Sequence, residues 1–245
     1  MRLPAADFNA EVKCRRSYLR RRRDVIQRSL VVSAPAALLG SLSVVQAVDA
    51  IRGGVILSAN PDWPRAVEVV REILYGTFVL VAAVVLWTTR DPRHRDARGR
   101  VIAVSLSASF LLVFVGLLPN GPVVWQASYR MIEIGLFLSV VGAGLALVTL
   151  ASLKSNFSIV PEVRSLVVTG PYQWLRHPMY FAELLMIVGI VLSDPHITYL
   201  VGAMSVLVLQ VYRILMEERL LSTNFPAAHK AFVAHTRYRL IPRVW

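Results

Sequence analysis

Apolar runs of helical length dominate the chain, separated by short polar segments. Runs at 30–50, 66–87, 101–118, 131–153, 179–193 and 197–215 are predominantly apolar, with at most one charged residue each except 66–87, which holds Glu68, Arg71 and Glu72. A bilayer core needs roughly 20 apolar residues in a helix. The pattern therefore predicts an all-α fold: a polytopic integral membrane protein of about six transmembrane helices. The fifth run is short, and with the sixth it reads as a helical hairpin turned at Asp194-Pro195-His196. An amphipathic tail follows and is expected on the cytoplasmic side. Three regions are expected: a basic N-terminal segment (1–29), accessory membrane helices (30–130), and a catalytic membrane domain (131–245).

Composition supports this reading. Hydrophobic residues make up 56% of the 245 and charged residues 17%, against about 25% charged in soluble domains. Mean hydropathy is +0.55. The single cysteine, Cys14, excludes an internal disulfide and a Cys-rich metal site. No two of the five histidines have the i, i+4 metal spacing, so no metal site is expected.

The net charge of +12 would suggest nucleic acid on a soluble protein, but its distribution argues otherwise. Segments 1–29, 90–100, 154–178 and 213–245 hold 23 of the 27 Lys and Arg. Arg52, Arg65, Arg71 and Arg130 are the other four. This bias predicts cytoplasmic N- and C-termini. The basic N-terminus is expected to fix topology and touch anionic membrane lipids, with no nucleic-acid partner. It is long for a signal peptide, so no cleavage is expected. Trp63, Trp87, Trp125 and Tyr129 fall near the proposed membrane boundaries, as interfacial aromatics do. Gly142-Ala143-Gly144 lacks the rest of a dinucleotide fingerprint and reads as small residues that let helices approach.

Two stretches carry chemistry. The first runs from Leu166 to Tyr180 and contains Gly170-Pro171, Tyr172, Arg176, His177, Pro178, Met179 and Tyr180. Pro178 disfavours helix at His177 and suits the first turn of a new one. Arg176 and His177 are thus expected where the backbone enters the membrane. The second stretch is Arg213-Ile-Leu-Met-Glu217-Glu218. Arg213 and Glu217 share a helix face. Glu183 lies inside a span and is expected to face a polar cavity or a cation.

Together these stretches resemble the isoprenylcysteine carboxyl methyltransferase family and its bacterial and phospholipid-methylating relatives. That family has the pattern L-V-x-x-G-x-Y-x-x-x-R-H-P-x-Y, a helical hairpin, R-x-x-x-E-E and an aromatic-rich tail. The resemblance covers about residues 150–243. It implies S-adenosylmethionine as cofactor, bound by Arg164, Ser165, Leu166, Val167, Tyr172, His177, Pro178, Met179, Tyr180 and Glu217. It implies a lipophilic or lipid-linked substrate facing Arg213, Arg176 and Glu183, with a carboxylate as the expected nucleophile. Arg213 and Glu218 are the candidate catalytic residues, and an amine nucleophile would call for Glu218 or His229 as base. Two positions depart from the family pattern. Ala182 stands where the family usually has glycine, and one methyl there is expected to narrow the pocket. The tail, from Phe225 to Phe232, differs in its aromatic spacing. Two other readings are a sterol-reductase-like enzyme using NADPH and a non-catalytic membrane scaffold. The first is disfavoured by Phe181-Ala182-Glu183, where that group has Gly-Asp.

Overall fold

The computed structural model describes residues 32–59, 63–88, 94–95, 99–116, 118–119, 121–159, 162–163, 165–242 and 244. The basic segment 1–29 and the proposed cofactor ligand Arg164 lie outside the described residues. The described chain is helical: α1 (Ala34–Ala59), α2 (Trp63–Thr88), α3 (Gly99–Gly116), α4 (Tyr129–Leu153), α5 (Pro178–Ser193), α6 (Ile197–Asn224) and α7 (Pro226–His235). One two-residue antiparallel ladder, His94–Arg95 with Glu162–Val163, departs from an all-α architecture. Four helical stretches are long and apolar enough to cross a membrane: Ala34–Ser58, Val69–Thr88, Tyr129–Leu153 and Ile197–Asn224. Gly99–Leu111 and Pro178–Ser193 are apolar but shorter.

The helix starts follow from local chemistry. The Ser128 hydroxyl caps α4 by accepting from the Met131 amide at 3.3 Å. Pro178 occupies the first turn of α5, where its missing N–H costs nothing. Two ends lie beyond the apolar runs that announced them. Helix α1 continues to Ala59, carrying Asp49 and Arg52 as an exposed i, i+3 pair 3.9 Å apart. Helix α6 continues past 215 to Asn224, so Glu217 and Glu218 stand on regular helix.

Helices α1 and α2 pack as one pair and α4 and α5 as another; α2 joins the pairs through α4, and α3 lies along α6. In a bilayer such contacts depend on close backbone approach, because lipid is as apolar as the side chains. Glycines supply it between α4 and α5. A Cβ on Gly142 would stand 2.8 Å from the Ala182 carbonyl oxygen, and one on Gly135 2.6 Å from that of Gly189. Gly144, expected to serve the same contact, instead faces open space. Ala182, Ala146, Leu150, Met179 and Ala82 form a buried cluster where α2, α4 and α5 meet.

Loop contacts group the connections at two ends. The ladder joins residues 94–95 to 162–163, two loops that the charge bias places on the same side. At the other end, His196 Nδ1 lies 2.8 Å from the Gly121 carbonyl oxygen, and the Val124 amide donates to the Pro195 carbonyl at 2.8 Å. The three-residue Asp194-Pro195-His196 turn is therefore pinned to the connection before α4.

Candidate functional site

The Leu166–Tyr180 stretch reaches its position through a sharp local path. Gly170 adopts φ +62°, and a side chain there would run into Ser152. A short 3-10 turn over Gly170–Gln173 follows, and the chain enters α5 at Pro178. One wall of the turn, with α6, α7 and the segment after α4, borders a cavity open to solvent. Ser165, Leu166, Val167, Tyr172, Arg176, His177, Met179, Tyr180, Glu183, Arg213 and Glu217 all line it. Of the described site residues named from sequence, Pro178 and Glu218 are set back from the cavity wall.

Glu217 sits at the centre of the polar surface. It accepts a short hydrogen bond from the Tyr180 hydroxyl, and its Oε2 lies 3.7 Å from His177 Nδ1. His177 Nε2 is 3.5 Å from Glu218 Oε1. The imidazole thus stands between adjacent carboxylates, stacked at 5.8 Å on the Tyr180 ring. The Tyr172 phenol is half-buried and faces Glu217, and its removal from water, then the nearby carboxylate, push its pKa up. It stays protonated and able to donate.

Arg213 is only 4% exposed. Its guanidinium lies 4.9 Å over the Tyr180 ring. It donates to the Ile159 carbonyl at 2.7 Å and to the Ser109 hydroxyl at 3.2 Å, while Nε is buried with no hydrogen-bond partner among the described residues. The expected fork for substrate is therefore largely engaged within the protein. Glu183 accepts from Gln210 Nε2 at 2.7 Å, and its carboxylate faces the cavity. Gln210 is fully buried on α6.

Glu218 holds structure together. Its Oε1 lies 2.6 Å from Arg176 Nη1 and its Oε2 2.9 Å from Arg239 Nε. A carboxylate gripped by two guanidiniums is a weak base, and this one faces away from the cavity. His229, the other candidate base, is also off the cavity wall. Burial lowers its pKa despite Glu218 nearby. Burial is also the leading influence lowering that of Arg176, opposed by Glu218 and reinforced by Arg239.

Around this ion cluster the C-terminal residues 236–241 form a strap. The Arg176 and His177 amides donate to the Tyr238 and Arg239 carbonyls, each at 2.9 Å. Arg176 Nη2 donates to the Arg237 carbonyl at 3.1 Å, and the Thr236 hydroxyl to that of Tyr172 at 3.2 Å. Removing Glu218 strands two cations beneath the strap. Glu218→Ala is expected to cost about 3 kcal/mol, read as a lower denaturant midpoint in detergent and faster proteolysis of the C-terminus. An unchanged midpoint would contradict the strap's dependence on Glu218.

Several lining residues were not anticipated. Ser109 comes from α3, in the region read as accessory, and Asn156, Phe157, Ser158 and Ile159 come from the segment after α4. The serines at 105, 107 and 109, spaced through an apolar run, were the available signal. Ala182 does not narrow the cavity: it is fully buried against α4, away from the lining.

The match to known proteins falls on this part of the chain. Residues 130–228 match the family model for phospholipid methyltransferase. The matched segment runs from the start of α4 into α7 and includes all cavity-lining residues except Ser109 and Phe232. The R-H-P-x-Y and R-x-x-x-E-E blocks both lie within this segment, and the resemblance read from them holds there. No curated protein matches the chain.

Proposed function

We propose that the protein transfers a methyl group from S-adenosylmethionine to a lipophilic acceptor at the cytoplasmic membrane face. The observation that carries this reading is one cavity, within the matched segment, where Tyr172, His177, Tyr180, Arg213 and Glu217 converge. The donor set fits. Glu217 offers a carboxylate to ribose hydroxyls or an amino group, Tyr172 offers a protonated phenol, and Leu166 and Val167 offer an apolar wall.

When bound, S-adenosylmethionine supplies a methyl already activated on its sulfonium sulfur. The chain's own residues then have to orient the acceptor and keep water out. Tyr180 and His177 brace Glu217 from two sides. Arg213 ties α6 to the Ile159 segment and to α3, fixing the opposite wall. Arg176 supports the donor wall through the strap.

The acceptor class turns on charge. A carboxylate acceptor would share the cavity with Glu183 and Glu217, while Arg213 is already engaged. An amine acceptor meets a favourable field, and it must lose one proton for each methyl gained. Glu183, placed on the cavity and held by Gln210, is the residue to take that proton. The geometry therefore favours a lipid amine over the carboxylate expected from the sequence.

Labelled methyl donor, incubated with the membrane-reconstituted protein and a lipid extract, tests this reading. An N-methyl product keeps its label after base treatment, whereas a methyl ester releases it as methanol. Base-stable label in lipid is the expected result. Base-labile label would restore the carboxylate, and no incorporation would contradict methyl transfer to lipid. Both termini are expected on the cytoplasmic side, where the donor is made. Reporter fusions at the two ends check this, and an external C-terminus would put the cavity out of reach of its donor.

A further inference from the structure

The turn at 171–178 has two working faces. Tyr172, Arg176 and His177 line the cavity already described, while Pro171, Trp174, Leu175 and Pro178 line a second hollow behind it. This hollow encloses roughly 960 Å³, counting its open side. Its floor is apolar, with Leu145 from α4 and Phe181 from α5. Its rim carries Trp174, Tyr238, Arg237 and His235. Trp174 is 75% exposed. No carboxylate is among the described residues that line the hollow. The nearest acidic anchor of the strap, Glu218, is taken up by Arg176 and Arg239.

These features call for one kind of occupant. The hollow opens where apolar helices α4 and α5 give way to polar chain, the level of a bilayer interface. An apolar floor set between two membrane helices suits the upper part of an acyl chain. An aromatic and cationic rim suits a phosphate head, since indole and guanidinium both favour that level. With the Arg237 guanidinium and no carboxylate among the described rim residues, a head of net negative charge is preferred over a zwitterionic one.

We propose that this hollow binds an anionic phospholipid of the adjoining leaflet, which clamps the C-terminal strap onto the turn and thereby tightens donor binding. Trp174 belongs to the turn and Arg237 to the strap, so a single head group contacting both bridges them. The bonds it would reinforce are those from the Arg176 and His177 amides to Tyr238 and Arg239. The same two residues form part of the donor-cavity wall. The donor effect rests on the methyltransferase reading above; occupancy of the hollow does not.

The full chain, reconstituted in nanodiscs of phosphatidylcholine with or without phosphatidylglycerol, provides the test. Brominated versions of each lipid quench nearby tryptophan, and the Trp174→Phe difference isolates the Trp174 signal. Brominated phosphatidylglycerol should quench Trp174 more strongly than brominated phosphatidylcholine, and Arg237→Gln should erase the preference. Phosphatidylglycerol should also tighten S-adenosylhomocysteine binding about fivefold in the unaltered protein and not in Arg237→Gln. Equal quenching by the two lipids would overturn the site. A quenching preference with donor affinity the same in both lipids would overturn the clamp. A preference with no donor binding in either lipid would leave the lipid site standing and refute the cofactor reading instead.

Discussion

Gly189→Ala is expected to unseat α5 from α4, whereas Gly144→Ala, on the same helix pair, leaves the fold intact. The added Cβ at 189 meets the Gly135 carbonyl oxygen and the Ser139 hydroxyl, and stands 3.0 Å from the Ser139 amide nitrogen. Two of these three neighbours are helix backbone, which cannot rotate aside. The Ser139 hydroxyl is itself bonded to the Gly135 carbonyl at 2.9 Å. Overpacking commonly costs about 1–3 kcal/mol, and a rigid backbone neighbour puts this site at or above the upper end. Because α5 begins at Pro178 and carries Tyr180 and Glu183, the loss extends to the cavity. At Gly144 a Cβ meets nothing within 4 Å, and alanine is the better helix former by about 1 kcal/mol. Size-exclusion profiles and denaturant midpoints of the two variants check the contrast. Similar behaviour would mean that α4 and α5 do not approach as closely as described.

Glu217→Gln is expected to raise the dissociation constant for the methyl donor about 10- to 100-fold, the worth of a hydrogen bond to a charged group. Arg213→Lys is expected to leave that constant nearly unchanged and to lower turnover about a hundredfold, as a misplaced reacting group does. The two residues are one helical turn apart on α6 and both line the cavity, yet they hold different walls. Glu217 is braced by Tyr180 and His177 on the donor side. Arg213 reaches the Ile159 carbonyl and Ser109 on the far side, stacked over Tyr180. Lysine keeps the charge but has no planar fork to span both acceptors. Were the pair only an interfacial salt bridge, either change would cost at most about 1 kcal/mol and spare activity. Donor affinity and methyl transfer, measured on the same purified variants, separate these cases. Equal loss of donor binding in both variants would refute the division of roles.

Membrane helices were legible because each is a local pattern. The apolar run at 131–153 became α4 within two residues, and Pro178 marked the start of α5. Helix ends that carry charge were less so. The run at 197–215 stops at its last apolar residues, yet α6 proceeds through Glu217, bonded by Tyr180, and Glu218, held by Arg176 and Arg239. The cavity's donor wall was legible as a motif. Its other wall, and the strap that backs the donor wall, depend on contacts between residues far apart in sequence: Arg213 with Ser109, and Arg176 with residues 237–239. No periodicity encodes such pairings. Glu218 shows the consequence. Beside Glu217 in sequence it reads as a second functional carboxylate, but a helix turns adjacent residues about 100° apart. One carboxylate meets the cavity and the other the two arginines.

Equilibrium titration of the purified protein with S-adenosylhomocysteine and, separately, with NADPH bears most directly on what the cavity is for. Saturable binding of S-adenosylhomocysteine, weakened by Glu217→Gln, with no saturable binding of NADPH, is the result expected here. Binding of NADPH and not of S-adenosylhomocysteine would contradict it.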